Sequence, residues 1–206
     1  MPEIRLPEEF LTVTVAELKE LHQEYARRFF NQAKIFFDDF LNAKQELEDE
    51  EGKWLDWQYK YSADEFEAEM IAQSKKYKIA AGIALEYLLK SAFLLKEFNI
   101  FQVAGEKDIE IKKVADLNEK AILNKRKTIS LQKLIRKVDL LGITPPLEKD
   151  ILDRIHENRN TAVHSFELFP DTMYEIETPS EEGWMHAIPE TMEELYHFVE
   201  SEMEKN

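Results

Sequence analysis

The chain has 206 residues and a formal net charge of −15. That length is enough for one ordinary domain with a real core, and the charge excludes a protein coated for tight non-specific nucleic-acid binding. Five glycines and seven prolines are too few for a turn-rich β-protein, and the absence of cysteine excludes disulfides, thiolate metal sites and cysteine nucleophiles.

The charge is uneven. Asp38–Glu69 holds 12 acids against 3 bases, and Glu167–Asn206 holds 12 against 1. Glu106–Leu140 reverses the balance with 10 bases against 6 acids, including Lys125, Arg126 and Lys127 in a row. Such a segment reads either as a phosphate-contacting surface or as a solvated face that pairs with acidic helices. The opening MPEIRLPEEF lacks a basic stretch followed by an apolar core, so no signal peptide is expected. The apolar run Ile79–Leu95 is 17 residues long and carries Glu86 and Lys90. It reads as a buried helix, not a membrane span. The expected setting is cytoplasmic, with no membrane partner.

In chain order, residues 1–13 read as an extended lead-in. Thr14 and Glu17 form a capping box. Leu18, Leu21, Tyr25, Phe29, Ala33, Phe36 and Phe40 then recur at helical spacing, predicting a first helix to about Leu47. The acidic run before Gly52 marks a helix end. Trp54, Trp57, Tyr59 and Tyr61 follow as an aromatic connector that fastens to the bundle. Ser62 and Glu65 form a second capping box, opening a helix to about Phe98. Its predicted core is Ile71, Ile79, Ile83, Leu88, Leu89, Phe93 and Leu95. Because its middle is apolar on nearly every face, it should lie at the centre. Glu86 and Lys90 stand at i and i+4, a structural pair or the floor of a site.

Phe101–Val103 and Ile109–Ile111 are consistent with a short hairpin around 105–108, and Asp116–Leu123 with a short helix. Ser130 caps a helix ending at Gly142, with Leu131, Leu134, Ile135, Val138 and Leu141 on its core face. Thr144 before Pro145 starts the next helix, which carries Ile151, Ile155, Ala162 and Phe166 on one stripe. Residues 167–188 read as irregular, with a strand over Met173–Thr178. A last helix begins at Pro189 or Glu190, with Met192, Leu195, Phe198, Val199 and Met203 apolar. The expected fold is an all-α, up-and-down bundle of about five helices with a small irregular or hairpin insertion, forming a single domain over 1–206.

The stretch Asp153–Phe166 reads DRIHENRNTAVHSF. Arg159 falls within its apolar stripe, about 40° from Ile155 at 100° per residue. An unpaired buried charge is costly, so this guanidinium must be paired, sit at a seam, or face a ligand. Arg159 and His164 point about 140° apart on a continuous helix, while Asn160 and His164 share a face. Either the helix bends or ends between Arg159 and His164, or two copies of the stretch meet across a two-fold axis. Glu194-x-x-His197 and Asp153-x-x-His156 are half-matches to a helical di-iron pattern, in a chain where acids are too common for the match to mean much. No cofactor is expected. No phosphate-binding glycine loop is present in the sequence.

An apolar helix with Glu86, Leu89 and Lys90, then a capped helix, then a helix ending in R-N-x-x-x-H (Arg159, Asn160, His164) resembles the HEPN superfamily of small α-helical bundles. The resemblance covers about Ser62–Phe166 and a final helix. The first helix is longer than the minimal family needs. One subfamily, the toxin partners of minimal nucleotidyltransferases, has tyrosine two residues after the histidine; here Phe166 lacks that hydroxyl. The resemblance implies a metal-independent endoribonuclease, often dimeric, in a toxin–antitoxin or defence setting with an antitoxin-type protein partner. Such chemistry fits the residues. A histidine can move protons to and from the 2′-OH and 5′-oxygen. An arginine can hold two phosphoryl oxygens, and Asn160 can orient His164 or a phosphate. Lys125, Arg126, Lys127 and His156 would contact RNA or nucleotide. Two other readings stay open: a non-catalytic nucleotide-, RNA- or protein-binding module of the same fold, and a purely structural one. In the latter Arg159 is an inter-helix ion pair and His164 a surface residue.

Overall fold

The computed structural model describes residues 10–57, 63–117, 120–164 and 182–205. The fold class is that of an all-α helical bundle, with five α-helices and a small β-insertion among the described residues.

The lead-in ends in a strand, β1 (Phe10–Thr14), and α1 (Val15–Trp57) follows directly. The capping box forms as expected: the Thr14 N–H donates to Glu17 Oε2 at 2.7 Å, and the Glu17 N–H to Thr14 Oγ1 at 3.3 Å. The predicted stop near Leu47 is overturned. α1 continues through the acidic run and Gly52 to Trp57. A glycine costs about 1 kcal/mol in a helix interior, whereas breaking and renucleating a helix costs more. Tyr59, Tyr61 and the Ser62 box lie outside the described residues.

α2 spans Ala63–Leu95 and stops three residues before the expected end, because Phe98 enters a strand. Its buried face consists of Ala80, Ala81, Ala84, Leu85, Leu88, Leu89, Ala92, Phe93 and Leu94. Ile71, Ile79, Ile83 and Leu95, expected in the core, are only half-buried. A helix that is apolar all round gives periodicity nothing with which to choose a face; the small residues lie inside because they let neighbouring helices approach.

The hairpin expectation is overturned. β2 (Phe98–Asn99) pairs with β4 (Lys112–Lys113), and β3 (Phe101–Val103) pairs with β5 (Lys120–Thr128), which also pairs with β1. All these pairings are antiparallel, and the larger sheet has the order β1-β5-β3. Ile109 and Ile111 lie in no strand, and the described residues of Asp116–Leu123 form no α-helix: a 3₁₀ turn over Val114–Asp116 precedes β5, which begins at Lys120. Non-local pairing with β1 and β3, more than a hundred residues and about twenty residues away respectively, overrode the local helix propensity of that stretch.

α3 (Leu131–Arg136) passes into a 3₁₀ turn (Val138–Leu141) closed by Gly142 at φ 65°. Ser130 takes the N-cap position without a side-chain cap bond, and Leu131, Leu134, Ile135, Val138 and Leu141 are buried as expected. α4 (Lys149–His164) begins four residues later than expected. Pro145 and Pro146 stand side by side, and a residue before proline is steered out of the helical region. α5 (Glu182–Glu204) begins earlier than expected, with Pro189 inside it. Met192, Leu195 and Val199 are buried there; Phe198 and Met203 are half-buried. Phe166 and the strand expected over Met173–Thr178 lie outside the described residues.

The chain divides into two compact units. The first comprises Met1–Phe30, Leu88–Pro146 and Leu195–Asn206 and contains every strand found among the described residues. In it Leu18, Ala26 and Phe30 of α1 are buried, as are Leu88, Phe93, Phe101, Leu123, Leu134 and Leu195. Ser91 Oγ donates to the Ala26 carbonyl at 2.9 Å. The second comprises Asn31–Tyr87 and Leu147–Glu194 and is helical in its described residues. There Phe36 stacks near Tyr87 and Phe40 lies 5.0 Å from Tyr77, ring centre to ring centre. These pairs set α1 antiparallel to α2, and Ile151, Leu152 and Ile155 of α4 are buried in the same unit. By sequence the first unit carries 17 bases and 16 acids, and the second 10 bases and 26 acids. The net negative charge of the chain therefore belongs to the second unit.

Candidate functional site on helix α4

α4 runs without a break to His164. A bend between Arg159 and His164 is therefore absent, and one chain aims these two side chains in different directions. What fixes Arg159 is α2. At Gly82 a Cβ atom would lie 2.5 Å from both Cβ and Cδ of Arg159 and 2.8 Å from its Cγ. The arginine stem thus lies across the bare backbone of Gly82. One turn further along α2, Glu86 Oε2 accepts a hydrogen bond from Arg159 Nη1 at 2.8 Å. The pair is partly buried, with side chains 28% and 23% exposed for Arg159 and Glu86. Glycine in mid-helix is unfavourable, so its presence here makes room for something. No sequence pattern singled Gly82 out. The one available signal was a lone glycine in the apolar run Ile79–Leu95.

The bond to Glu86 engages one nitrogen of the guanidinium. Nε and Nη2 have no hydrogen-bond partner among the described residues, and together they form the edge that grips an oxyanion with two parallel bonds. Asn160 does not reach Arg159. Its Nδ2 lies 3.3 Å from His156 Nε2, one turn back. His156 Nδ1 is buried with no partner among the described residues. His164 and Asn160 are exposed on the outer face of α4. The structure thus brings Glu86 and Arg159 together, and His156 and Asn160 together, and leaves His164 apart from both pairs.

Lys90 stands one turn after Glu86 on α2, is buried, and has its Nζ 5.6 Å from the Phe29 ring centre. Lys125, Arg126 and Lys127 belong to the first unit, on β5. Among the described residues no group of three or more histidines and acids is placed to hold a metal ion, and no helix is long and apolar enough to cross a membrane. A second residue missed by sequence is His22, buried in α1 against Phe101 at 6.1 Å between ring centres. Both its ring nitrogens lack a well-formed hydrogen bond. Burial lowers its pKa from 6.5 to about 4, although Asn99 and Glu97 act in the opposite direction.

Comparison of the chain with protein-family models, with curated proteins and with solved structures found no match.

Proposed function

We propose that this chain is a HEPN-type endoribonuclease that needs no metal, acting as a homodimer in which two α4 helices meet across a two-fold axis. The observation that supports this most is the half-held Arg159. Gly82 and Glu86 fix its stem and one nitrogen, and the remaining edge, which has no partner among the described residues, is offered to a phosphate. A guanidinium fixed in advance loses less freedom on binding. In this reading the RNA 2′-OH attacks the adjacent phosphorus and the P–O5′ bond breaks, leaving a 2′,3′-cyclic phosphate and a 5′-hydroxyl. His164 of one copy moves the protons, and Arg159 of the other holds the phosphoryl oxygens. Asn160, on the same face as His164, orients the phosphate. The dimer is required because the two directions on one helix differ by about 140°. A cytoplasmic setting and an antitoxin-type protein partner belong to the same reading.

A second reading, a nucleotide- or protein-binding module without cleavage, is favoured by one observation. Glu86 already neutralises part of the Arg159 charge, in a unit with 26 acids against 10 bases. A long phosphate chain approaching that unit meets repulsion.

The test is purified protein with a mixed-sequence RNA in EDTA. Cleavage with a cyclic-phosphate product is expected, and His164→Ala should lower it about 10²–10⁴-fold, the usual scale for one acid–base group. Arg159→Lys keeps a charge and a stem but removes the fork, and should lose a comparable factor. Cleavage undiminished in His164→Ala would refute the role of that residue. No cleavage of any RNA, with nucleotide binding that depends on Arg159, would establish the binding module instead.

A further inference from the structure

From Ala121 to Val138 the chain carries six bases and no acid, within a protein of net charge −15. The fold gives this segment a definite form. On β3, Phe101 pairs with Thr128, but its neighbour Gln102 pairs with Asn124. Regular antiparallel register would put Gln102 opposite Lys127. Three residues of β5, Lys125, Arg126 and Lys127, are therefore looped out of the ladder as a bulge, a device that redirects side chains at a sheet. Asn124 holds its base: this residue is buried, and its Oδ1 accepts the Arg126 N–H at 3.0 Å. Arg126 and Lys127 are exposed and Lys125 is half-buried.

Only Thr128, Ile129 and Ser130 separate the bulge from α3, a connector that spans at most about 14 Å. The buried residues of α3 are Leu131, Leu134 and Ile135. Its outward positions include Lys133 and Arg136, with Lys137 at its end, all exposed. These three stand at i, i+3 and i+4, on one face. Neighbouring bases of the same unit are already engaged: Lys112 bonds Glu106 at 2.7 Å, and Lys113 lies 5.5 Å from the Phe98 ring centre. Within the six, Lys133 is 3.9 Å from Asp108, which is itself 82% exposed and so a weak competitor, and Arg126 has a partner of its own that the polyanion must displace.

We infer that the β5 bulge and the outer face of α3 form one surface that binds the phosphate backbone of single-stranded RNA. The choice of RNA rests on the function proposed above; the cationic surface itself does not. Consecutive cations on a protruding bulge and a helix turn suit a flexible polyanion read by charge, without base contacts.

The experiment measures binding of a fluorescein-labelled 12-nucleotide oligouridylate to the full chain in EDTA, with His164→Ala in every protein to prevent cutting. Salt is varied from 50 to 200 mM. If six phosphates are engaged, affinity should fall about 300-fold over that range, from a slope of about 0.7 per phosphate on a single strand. The variant Lys125→Gln/Arg126→Gln/Lys127→Gln should show only about a 20-fold fall, as should Lys133→Gln/Arg136→Gln/Lys137→Gln. Lys125→Arg/Arg126→Lys/Lys127→Arg keeps the charge and should retain the full dependence, which separates charge from damage to the bulge. No binding at 50 mM salt, or an unchanged slope in both glutamine variants, would overturn the inference. Equal displacement by a polyglutamate peptide of the same charge would overturn it too, marking the surface as a site for acidic protein. Should the oligonucleotide behave as expected while the unaltered chain cuts no RNA, the endoribonuclease reading falls and this surface stands.

Discussion

Replacing Gly82 by alanine sets two effects against each other. Alanine is about 1 kcal/mol better than glycine in a helix interior. Its Cβ, however, would stand 2.5 Å from Arg159 Cβ and Cδ. An ordinary carbon–carbon contact is about 3.5–4.0 Å, so roughly 1 Å must be found. Cβ of Arg159 is fixed to the α4 backbone and cannot swing away, so α4 itself must move. Overpacking of this kind costs about 1–3 kcal/mol, giving a net destabilisation of about 0–2 kcal/mol for Gly82→Ala. In an Arg159→Gly background, which removes Cβ as well as the stem, the clash is gone, and Gly82→Ala should stabilise by up to about 1 kcal/mol. The double-mutant cycle should therefore show a coupling of about 1–3 kcal/mol. Urea unfolding of the four proteins measures it. Equal stabilisation by Gly82→Ala in both backgrounds would refute the close approach and, with it, the account of how Arg159 is held.

Two further outcomes follow from buried residues. His22 has its pKa lowered from 6.5 to about 4, so between those values the unfolded chain binds more protons than the folded one. Stability from this group is full above pH 6.5 and is lost as pH falls towards 4, in total roughly 3 kcal/mol. His22→Phe should flatten that part of the stability–pH curve in urea melts; an unchanged curve would remove His22 as its cause. Leu88 is wholly buried at 0% exposure. Leu88→Asp should cost more than about 4 kcal/mol and abolish the cooperative melt, since it buries an unpaired charge; a soluble mutant with an unchanged midpoint would refute the central placement of α2.

The sequence by itself determined the helices and several of their ends. The Thr14–Glu17 box, the five buried apolar positions from Leu131 to Leu141 and the left-handed Gly142 are local matters, decided within a few residues by capping, periodicity and backbone freedom. It also marked Arg159 as a charge on an apolar stripe that needed a partner. Which partner was beyond it. Glu86 lies 73 positions away, and choosing it among 42 acids required the packing of α4 on α2. The inner face of α2 was equally hidden, because a helix apolar all round offers no contrast. The strands were misassigned for a related reason: β5 is defined by β1 and β3 rather than by its own residues, and strand preference depends on neighbours. The three looped-out cations, Lys125 to Lys127, were legible as charge in the sequence. Their form as a bulge was decided only when Gln102 paired with Asn124, a register that exists once both strands are laid side by side.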